Sequence, residues 1–234
     1  RVGEGAEATQ QSTDHANGGL SHVYGPGRSG LCQPGGPYVD PGLVPEYPET
    51  APKLPLEIEE ALAEDLGASL RPRRVDAAII ALPFDPPGVV TEFMYEEPFQ
   101  VVVPKGHKWA RRKAVAPDEL ASEHTILLNV GHCFRNQVLD ACPELNQSGA
   151  QVTRTNSLET VRNMVASGLG VSVLPRDALT PRYRTQLVGP VPFPPPAPPR
   201  RPAPATRRRF PRPHASPGLR KTVAPARATT PPRP

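Results

Sequence analysis

The sequence predicts an α/β protein made of two lobes with a cleft between them. Strand-like and helix-like segments alternate from Leu54 to Pro175, which is typical of a parallel sheet with crossover helices. A polar, basic loop at 105–116 interrupts the alternation and indicates a boundary between the lobes. Ligands usually bind in clefts of this kind. The predicted division is an irregular segment 1–33, a first lobe 34–99, a second lobe 100–189 with the paired cysteines, and a tail 190–234.

Apolar spacing predicts each element of the first lobe in turn. An alternating strand is indicated by the segment LPLEIEE, and a helix by Leu62, Leu66 and Leu70, which lie four residues apart on one face. The continuous apolar run VDAAIIALP favours a strand that is covered on both faces. A further strand is predicted for PFQVVVPKGH, which ends in a turn.

The second lobe repeats this alternation. Strands are predicted for HTILLNV, AQVTRTN and GVSVLP, and a helix for HCFRNQVLDAC between the first two. A second helix is predicted for SLETVRNMVASG, with Asn156 as its N-cap, Glu159 three residues later and Gly168 as its stop.

The tail has a different composition from the rest of the chain. It holds 16 of the 34 prolines, and because proline lacks a backbone donor we expect neither an ordinary helix nor a central strand there. No acidic residue follows Asp177, whereas 12 of the 27 Lys and Arg residues do, which leaves 15 basic against 23 acidic residues in 1–177. Such a basic tail either binds phosphates nonspecifically or is a solvated extension without a partner.

Composition also limits the cellular compartments in which this protein is expected. No segment approaches the roughly 20 apolar residues of a membrane span, and no basic-then-apolar signal peptide is present. Three cysteines in 234 residues argue against a disulfide scaffold, so we expect a cytoplasmic protein with no membrane partner. The chain begins at Arg1, and we expect it to be a fragment.

Two of the cysteines lie in the segment GHCFRNQVLDAC. Cys133 follows a predicted strand and begins a predicted helix, where the helix dipole stabilises an anion. Arg135 and His132 add a positive charge and a donor, so we expect a lowered pKa for Cys133. Its thiolate would attack peroxide to give a sulfenic acid, which a second thiol, with Cys142 as the candidate, converts to a disulfide.

Helix geometry places the two thiols apart. Nine residues of helix span about 13.5 Å and end on opposite faces, whereas a disulfide needs Cα atoms within roughly 7 Å. A bond between Cys133 and Cys142 therefore requires the helix to unwind, and Pro143 ends the helix at Cys142. Other interpretations of the pair are two ordinary buried thiols and an enzyme nucleophile with His132 as base. A zinc site is disfavoured because paired Cys-x-x-Cys ligands are lacking.

The cysteine segment and the later segment NSLETVRNMVASGLGVSVLP resemble the regulatory domain of peroxide-sensing LysR-type transcriptional regulators. The resemblance implies two Rossmann-like lobes of the type 2 periplasmic-binding-protein kind. It also implies that Cys133 is the peroxidatic thiol and Cys142 the resolving thiol, with His132 and Arg135 as the polar residues beside the reactive sulfur. A regulator of this family senses hydrogen peroxide, forms dimers or tetramers, and is neither an enzyme nor dependent on a metal or cofactor.

Several positions depart from that family. Segment 1–33 offers no winged helix-turn-helix, so we expect promoter DNA to be bound only by a full-length form. Pro34 and Ala63 stand about where the resemblance implies threonines that line the peroxide pocket. Pro202 and Pro204 are expected to break the strand that returns to the first lobe, which suggests a degenerate tail or a shifted reading frame. The alternatives to a peroxide sensor are an effector-binding domain with inert cysteines, a thiol peroxidase, and a product without function.

Overall fold

A computed structural model describes residues 27–32, 56–70, 74–147, 149–183 and 185–208. The strands are β1 (Gly27–Cys32), β2 (Leu56–Ala61), β3 (Ala77–Leu82), β4 (Val89–Thr91), β5 (Glu97–Pro104), β6 (Thr125–Leu128), β7 (Val152–Thr155), β8 (Val171–Pro175), β9 (Val188–Pro192) and β10 (Pro199–Arg207). The α-helices are α1 (Ala63–Leu70), α2 (Cys133–Ala141) and α3 (Leu158–Ala166). In the described part of the chain, five 3-10 helices connect them: Lys108–Arg111, Pro117–Ser122, Pro143–Asn146, Arg176–Leu179 and Pro181–Tyr183. Within the described ranges, no helix is long and apolar enough to cross a membrane.

The strands form one mixed sheet in the order β2–β1–β3–β10–β5–β8–β6–β7, with β4 beside β10 and β9 beside β5. The runs β2–β1–β3 and β8–β6–β7 are parallel, as predicted. The expectation of a wholly parallel sheet is wrong for β5, β9 and β10, which pair antiparallel with their neighbours. The physical reason is that β5 carries the chain into the second half of the sheet and β10 brings it back. Only the pairs Pro98–Pro199 and Glu97–Arg200 join β5 to β10.

Two apolar cores lie on the two halves of this sheet, which agrees with the predicted two-lobed α/β architecture. We call the smaller one the first core; its buried members are Leu66, Leu70, Val75, Ala78, Ile80, Val89, Ala203 and Ala205. The larger, second core gathers β5, β6, β8, α2 and α3, and its members include Phe99, Val101, Ile126, Phe134, Val138, Cys142, Val161, Val165 and Leu174. Burial of these side chains is the main contribution to the stability of each half.

The N-terminal part of the chain contains a strand that the sequence did not indicate. We expected 1–33 to be irregular, but β1 pairs in parallel with both β2 and β3. The segment GRSGLC lacks an apolar alternation, so neighbouring strands rather than its own propensity place it in the sheet. The predicted site position Pro34 lies outside the described residues.

The predicted break at Pro202 and Pro204 is wrong, because β10 is continuous and lies between β3 and β5. The carbonyl oxygens of these prolines accept hydrogen bonds from Met94 and Glu92 respectively, on the side away from β3. The amide and carbonyl of one residue point to the same side of a strand, so the missing donors also face away from β3. The alternate residues, Ala203 among them, face β3. Prolines spaced by two therefore leave this central pairing intact.

The end of β10 also holds the first lobe together. The Arg207 guanidinium donates to the carbonyl oxygens of Leu70 at 2.8 Å and Val75 at 3.0 Å, and lies 3.4 Å from the Asp76 carboxylate. Leu70 is the last residue of α1, where carbonyl groups lack helical partners. An arginine of the basic tail thus closes a helix end in the first lobe.

Helix α3 begins one residue later than expected. Ser157, rather than Asn156, is the N-cap, and its hydroxyl accepts a hydrogen bond from the Glu159 amide at 3.2 Å. Asn156 instead accepts from the side-chain amide of Asn129, which lies at the end of β6. Because Asn156 bonds to Asn129, its side chain does not cap the helix, and Ser157 is the N-cap instead.

Gly170 lies at a close approach between β6 and β8, and its replacement gives a direct test of the second lobe. A Cβ atom at Gly170 would lie 2.2 Å from the His124 carbonyl oxygen, which also accepts from the Val171 amide. Because backbone must move, we expect Gly170→Ala to lower the free energy of unfolding by about 2–3 kcal/mol. Thermal or urea denaturation measures this. Gly189→Ala is the matched control, since its nearest contact would be an ordinary 3.8 Å; equal losses for both would contradict the packing described here.

Candidate functional site

A tight turn between β6 and α2 places Cys133 at the contact between the two lobes. Gly131 has φ +98°, which an L side chain rarely adopts, and a Cβ there would lie 3.2 Å from Leu62 in the first lobe. His132 is the N-cap residue of α2, and Cys133 is its first residue. The turn therefore brings the helix N-terminus close to Leu62, just before α1. The sequence predicted that Cys133 follows a strand and begins a helix, but not this contact.

Cys133 and Phe134 attach the start of α2 to different cores. The partly buried side chain of Cys133 packs against the first core, together with Ala61, Ala63 and Leu82. Phe134 is buried in the second core, where its ring lies edge-on to Phe99, with centroids 5.2 Å apart. Movement of this turn of helix therefore affects both lobes.

Gln137, one turn further along α2, adds a polar link between the lobes. Its side-chain amide donates to the Leu82 carbonyl oxygen at 3.1 Å, at the end of β3. Gln137 lies four residues after Cys133, so both side chains leave the same face of the helix. The face of α2 that carries the thiol is thus the face that contacts the first lobe.

A buried ion pair lies where β5 and β10 meet. Glu97 and Arg200 are 1% and 5% exposed, and the Arg200 Nε donates to the Glu97 carboxylate. The other carboxylate oxygen of Glu97 accepts from the Asp177 amide at 2.7 Å. Two charges in such a site need each other, because either alone would be desolvated without compensation.

The charge of Arg200 acts on Cys133. Burial lowers the pKa of the Arg200 guanidinium, but the negative charges of Glu97 and Tyr95 and the hydrogen bond to Glu97 raise the pKa overall, and a Cys133 thiolate makes the smallest contribution in the same direction. The interaction is reciprocal, so a guanidinium that is stabilised by a Cys133 thiolate in turn stabilises that thiolate. The sequence did not identify this cation, since Arg200 lies 67 residues away in a proline-rich segment; only the pairing of β10 brings it to the site.

The two polar residues predicted beside the thiol lie in different surroundings. His132 is 4% exposed and immediately precedes the thiol residue. Arg135 leaves α2 about 200° around the helix from Cys133, and its side chain lines a pocket that also contains Leu127 and Arg154. The contribution of both residues to thiol reactivity stays a prediction, whereas Arg200 is the cation that the structure couples to Cys133.

Cys142 lies at the other end of α2, in the second core. It is the C-cap residue, is 0% exposed, and its amide donates to the Val138 carbonyl oxygen at 2.9 Å. Burial, with a smaller contribution from Glu144, raises the pKa of the Cys142 thiol to about 12. Both cysteines are free thiols and α2 is continuous between them, so the structure is the reduced arrangement.

The site combines a partly buried thiol, Cys133, near the guanidinium of Arg200 with a fully buried thiol, Cys142, that stays protonated. The first is suited to nucleophilic attack, because the thiolate is the reactive form. Ala63 packs against the same core as Cys133 but has no hydroxyl to offer a ligand. Within the ranges that the structure describes, no group of three or more His, Cys, Asp and Glu side chains could hold a metal ion.

Comparisons with known proteins support both the fold and the resemblance. The DNA-binding transcriptional dual regulator OxyR of Escherichia coli K12 is 35% identical over 162 residues, which are 69% of this chain and 53% of that protein. The reduced OxyR regulatory domain of Pseudomonas aeruginosa is 41% identical with a TM-score of 0.77, covering 85% of this chain and 96% of that one. Reduced OxyR of Neisseria meningitidis is 42% identical with a TM-score of 0.78, covering 84% and 94%.

These matches decide the family. The chain spans about half the length of the curated relatives it matches. The two-lobed, periplasmic-binding-protein-like fold and the resemblance to peroxide-inducible LysR-type regulators are confirmed. Residues 30–225 match the LysR substrate binding domain, well over half of the sequence, and the chain therefore belongs to that family.

Proposed function

We propose that this chain is the redox-sensing regulatory domain of a LysR-type transcription activator, which detects hydrogen peroxide through Cys133 and Cys142. One observation carries the proposal: Cys133 lies at the contact between the lobes as the first residue of α2, while its partner thiol Cys142 is sealed in the second core. A reactive first thiol and a protected second thiol are what a sensor needs, because the second must react only after the first.

The chemistry proceeds in two balanced steps. The Cys133 thiolate attacks one oxygen of hydrogen peroxide, so that an S–O bond forms, the O–O bond breaks, and hydroxide leaves and is protonated to water. The Cys142 sulfur then attacks the sulfenic sulfur; an S–S bond forms, the S–O bond breaks, and the leaving hydroxide takes the Cys142 proton. Peroxide is the oxidant, and the two thiols together supply two electrons.

The second step requires the helix to rearrange. Cys133 packs against the first core and Cys142 lies in the second, at opposite ends of a continuous helix about 13.5 Å long. Disulfide formation therefore has to move Cys133 from the lobe contact, Cys142 from its core, or both. The unwinding of α2 that this needs would break the link between Gln137 and Leu82. A change at the contact between the lobes is a means of reporting oxidation to the rest of a regulator.

The remaining assignments follow from the same proposal. The domain acts in the cytoplasm as a regulator rather than as an enzyme, with hydrogen peroxide as its signal. It associates with further copies through the regulatory domains, and promoter DNA is bound only in a full-length form. Relatives support this proposal by their names: the Mycobacterium avium protein that matches over 83% of this chain is a probable hydrogen peroxide-inducible genes activator.

The proposal predicts a Cys133–Cys142 disulfide after treatment of the reduced chain with one equivalent of peroxide. Peptide mass spectrometry of the alkylated, unreduced protein locates the bond. Cys133→Ser is expected to abolish it, whereas Cys142→Ala is expected to leave a sulfenic acid on Cys133 that a dimedone probe captures. Cys142→Ala removes a buried thiol without burying a hydroxyl, so the control keeps the second core apolar.

Two outcomes would contradict the proposal. Thiols that stay unmodified under peroxide would favour an effector-binding domain with inert cysteines. Continuous peroxide turnover in the presence of a thiol reductant, at a rate typical of peroxidases, would favour an enzyme instead.

A further inference from the structure

A pocket lies behind α2, on the side of the helix opposite the thiol. Its volume is about 230 Å³, and it opens between α2, the following 3-10 helix and β7. Its lining includes Arg135 and Leu139 of α2, Asn146 and Gln147 after it, Leu127 of β6 and Arg154 of β7. Arg135 and Leu139 lie about 200° and 240° around the helix from Cys133, which explains why they share this face.

The pocket carries positive charge that the protein does not neutralise. Arg135 and Arg154 both line it, and among the described lining residues none is acidic. Neither guanidinium forms an ion pair within the described part of the chain, and the buried Nε of Arg135 has no hydrogen-bond acceptor there. A buried donor without an acceptor is destabilising, and two like charges at one cavity repel each other. An anion in the pocket would remove both penalties.

We propose that this pocket is a binding site for a small oxyanion, a phosphate or a compact carboxylate. Guanidinium groups bind both in the same forked geometry, and the side-chain amides of Asn146 and Gln147 add donors at the rim. The volume suits an inorganic phosphate or a four-carbon dicarboxylate, and it lies below the roughly 300–1,000 Å³ of sites for larger organic ligands.

The site would also couple to the redox state, an extension that rests on the proposed function. Two of its walls, Arg135 and Leu139, belong to the helix that must unwind before the disulfide forms. An anion that binds only the helical form stabilises the reduced state by a factor of one plus its concentration divided by Kd. At ten times Kd, we expect the equilibrium for disulfide formation to fall about elevenfold.

Calorimetric titration of the reduced 234-residue chain tests the site, with inorganic phosphate and with succinate as probes at constant ionic strength set by chloride. Saturable binding of either anion is expected, and the tighter of the two identifies the ligand class. Arg154→Gln and Arg135→Gln are each expected to weaken binding about tenfold. Arg154 is exposed, so its replacement leaves the fold intact. Arg111→Gln, at an exposed arginine elsewhere in the second lobe, is the matched control and is expected to change nothing.

The proposal would be overturned if neither anion saturates, or if Arg111→Gln weakens binding as much as the pocket variants. The coupling is measured separately, as the peroxide-driven disulfide yield with and without saturating anion, in the parent chain and in Arg154→Gln. An unchanged yield in the parent chain refutes the coupling. Anion binding with no disulfide under any condition counts against the proposed function and leaves the site standing.

Discussion

Replacement of Arg200 with methionine is expected to slow the oxidation of Cys133 by peroxide at neutral pH by about tenfold or more. The guanidinium and the Cys133 thiolate stabilise each other, so removal of the cation favours the protonated, unreactive thiol. The reaction rate should then rise with pH along a curve that is displaced toward higher pH, because the pKa of the Cys133 thiol is raised when the cation is removed. Stopped-flow measurement of peroxide consumption between pH 5 and 10 gives both numbers.

The same variant is expected to destabilise the fold, which has to be separated from its chemical effect. Arg200→Met leaves the Glu97 carboxylate buried without the cation that balances its charge, although the Asp177 amide still donates to it, and loss of one partner of a buried pair costs about 3–5 kcal/mol. The double variant Glu97→Gln/Arg200→Met removes both charges and keeps an oxygen that can accept from that amide. It is expected to regain most of the stability while Cys133 stays slow to react.

The comparison of these variants decides the role of the arginine. If the double variant regains both stability and reactivity, Arg200 acts only by holding β5 and β10 together. If reactivity stays low in a chain that melts near the parent temperature, the cation acts on the thiol itself. A parent-like pH profile in both variants would contradict the electrostatic coupling described here.

The contrast between Arg200 and Arg135 shows how far the sequence predicts this site. Local signals identified the helix and its first residue Cys133, because those depend on neighbours within a few residues. The sequence therefore favoured Arg135, two positions away, as the cation. It offered no sign of Arg200, since that residue reaches the site through a strand pairing between segments 103 residues apart.

The proline content of the tail led to a wrong prediction for a related reason. Composition predicted that the tail could not supply a central strand, yet β10 does, because Pro202 and Pro204 leave the β3 side of the ladder to their non-proline neighbours. Whether a proline breaks a strand depends on which side its missing donor faces, and that follows from register. Register is set by the partner strands, so neither composition nor local pattern contains it.

Cys142 is expected to resist alkylation in the folded, reduced chain. At pH 8 a thiol whose pKa is about 12 is ionised to roughly one part in ten thousand, against about a quarter for a free thiol of pKa about 8.5. Iodoacetamide should therefore modify Cys142 roughly two-thousandfold more slowly than an ordinary thiol, and the zero exposure of Cys142 slows the reaction further. Peptide-resolved mass spectrometry over time measures the rate and separates Cys142 from Cys32 and Cys133.

Alkylation in denaturant is the control for this prediction. In urea the thiol is exposed and should react at the ordinary rate, so protection in buffer reports burial rather than an unreactive residue.

The raised pKa of Cys142 also makes the stability of the fold depend on pH in a definite direction. Both states keep the thiol protonated below about pH 8.5, but above it only the unfolded chain ionises Cys142, so stability is lost as pH rises toward 12. Cys142→Ala should reduce that loss.

Protection of Cys142 also determines the order of events during oxidation. A sealed, protonated thiol cannot attack the Cys133 sulfenic acid until the C-terminal end of α2 leaves the second core. Disulfide formation should therefore be limited by local unfolding and accelerate in low urea, while sulfenic acid formation should not. Stopped-flow oxidation at 0–2 M urea distinguishes the two steps. If sulfenic acid formation and disulfide formation respond equally to urea, Cys142 is already accessible in the folded chain. The alkylation experiment would then show rapid labelling of Cys142 without denaturant.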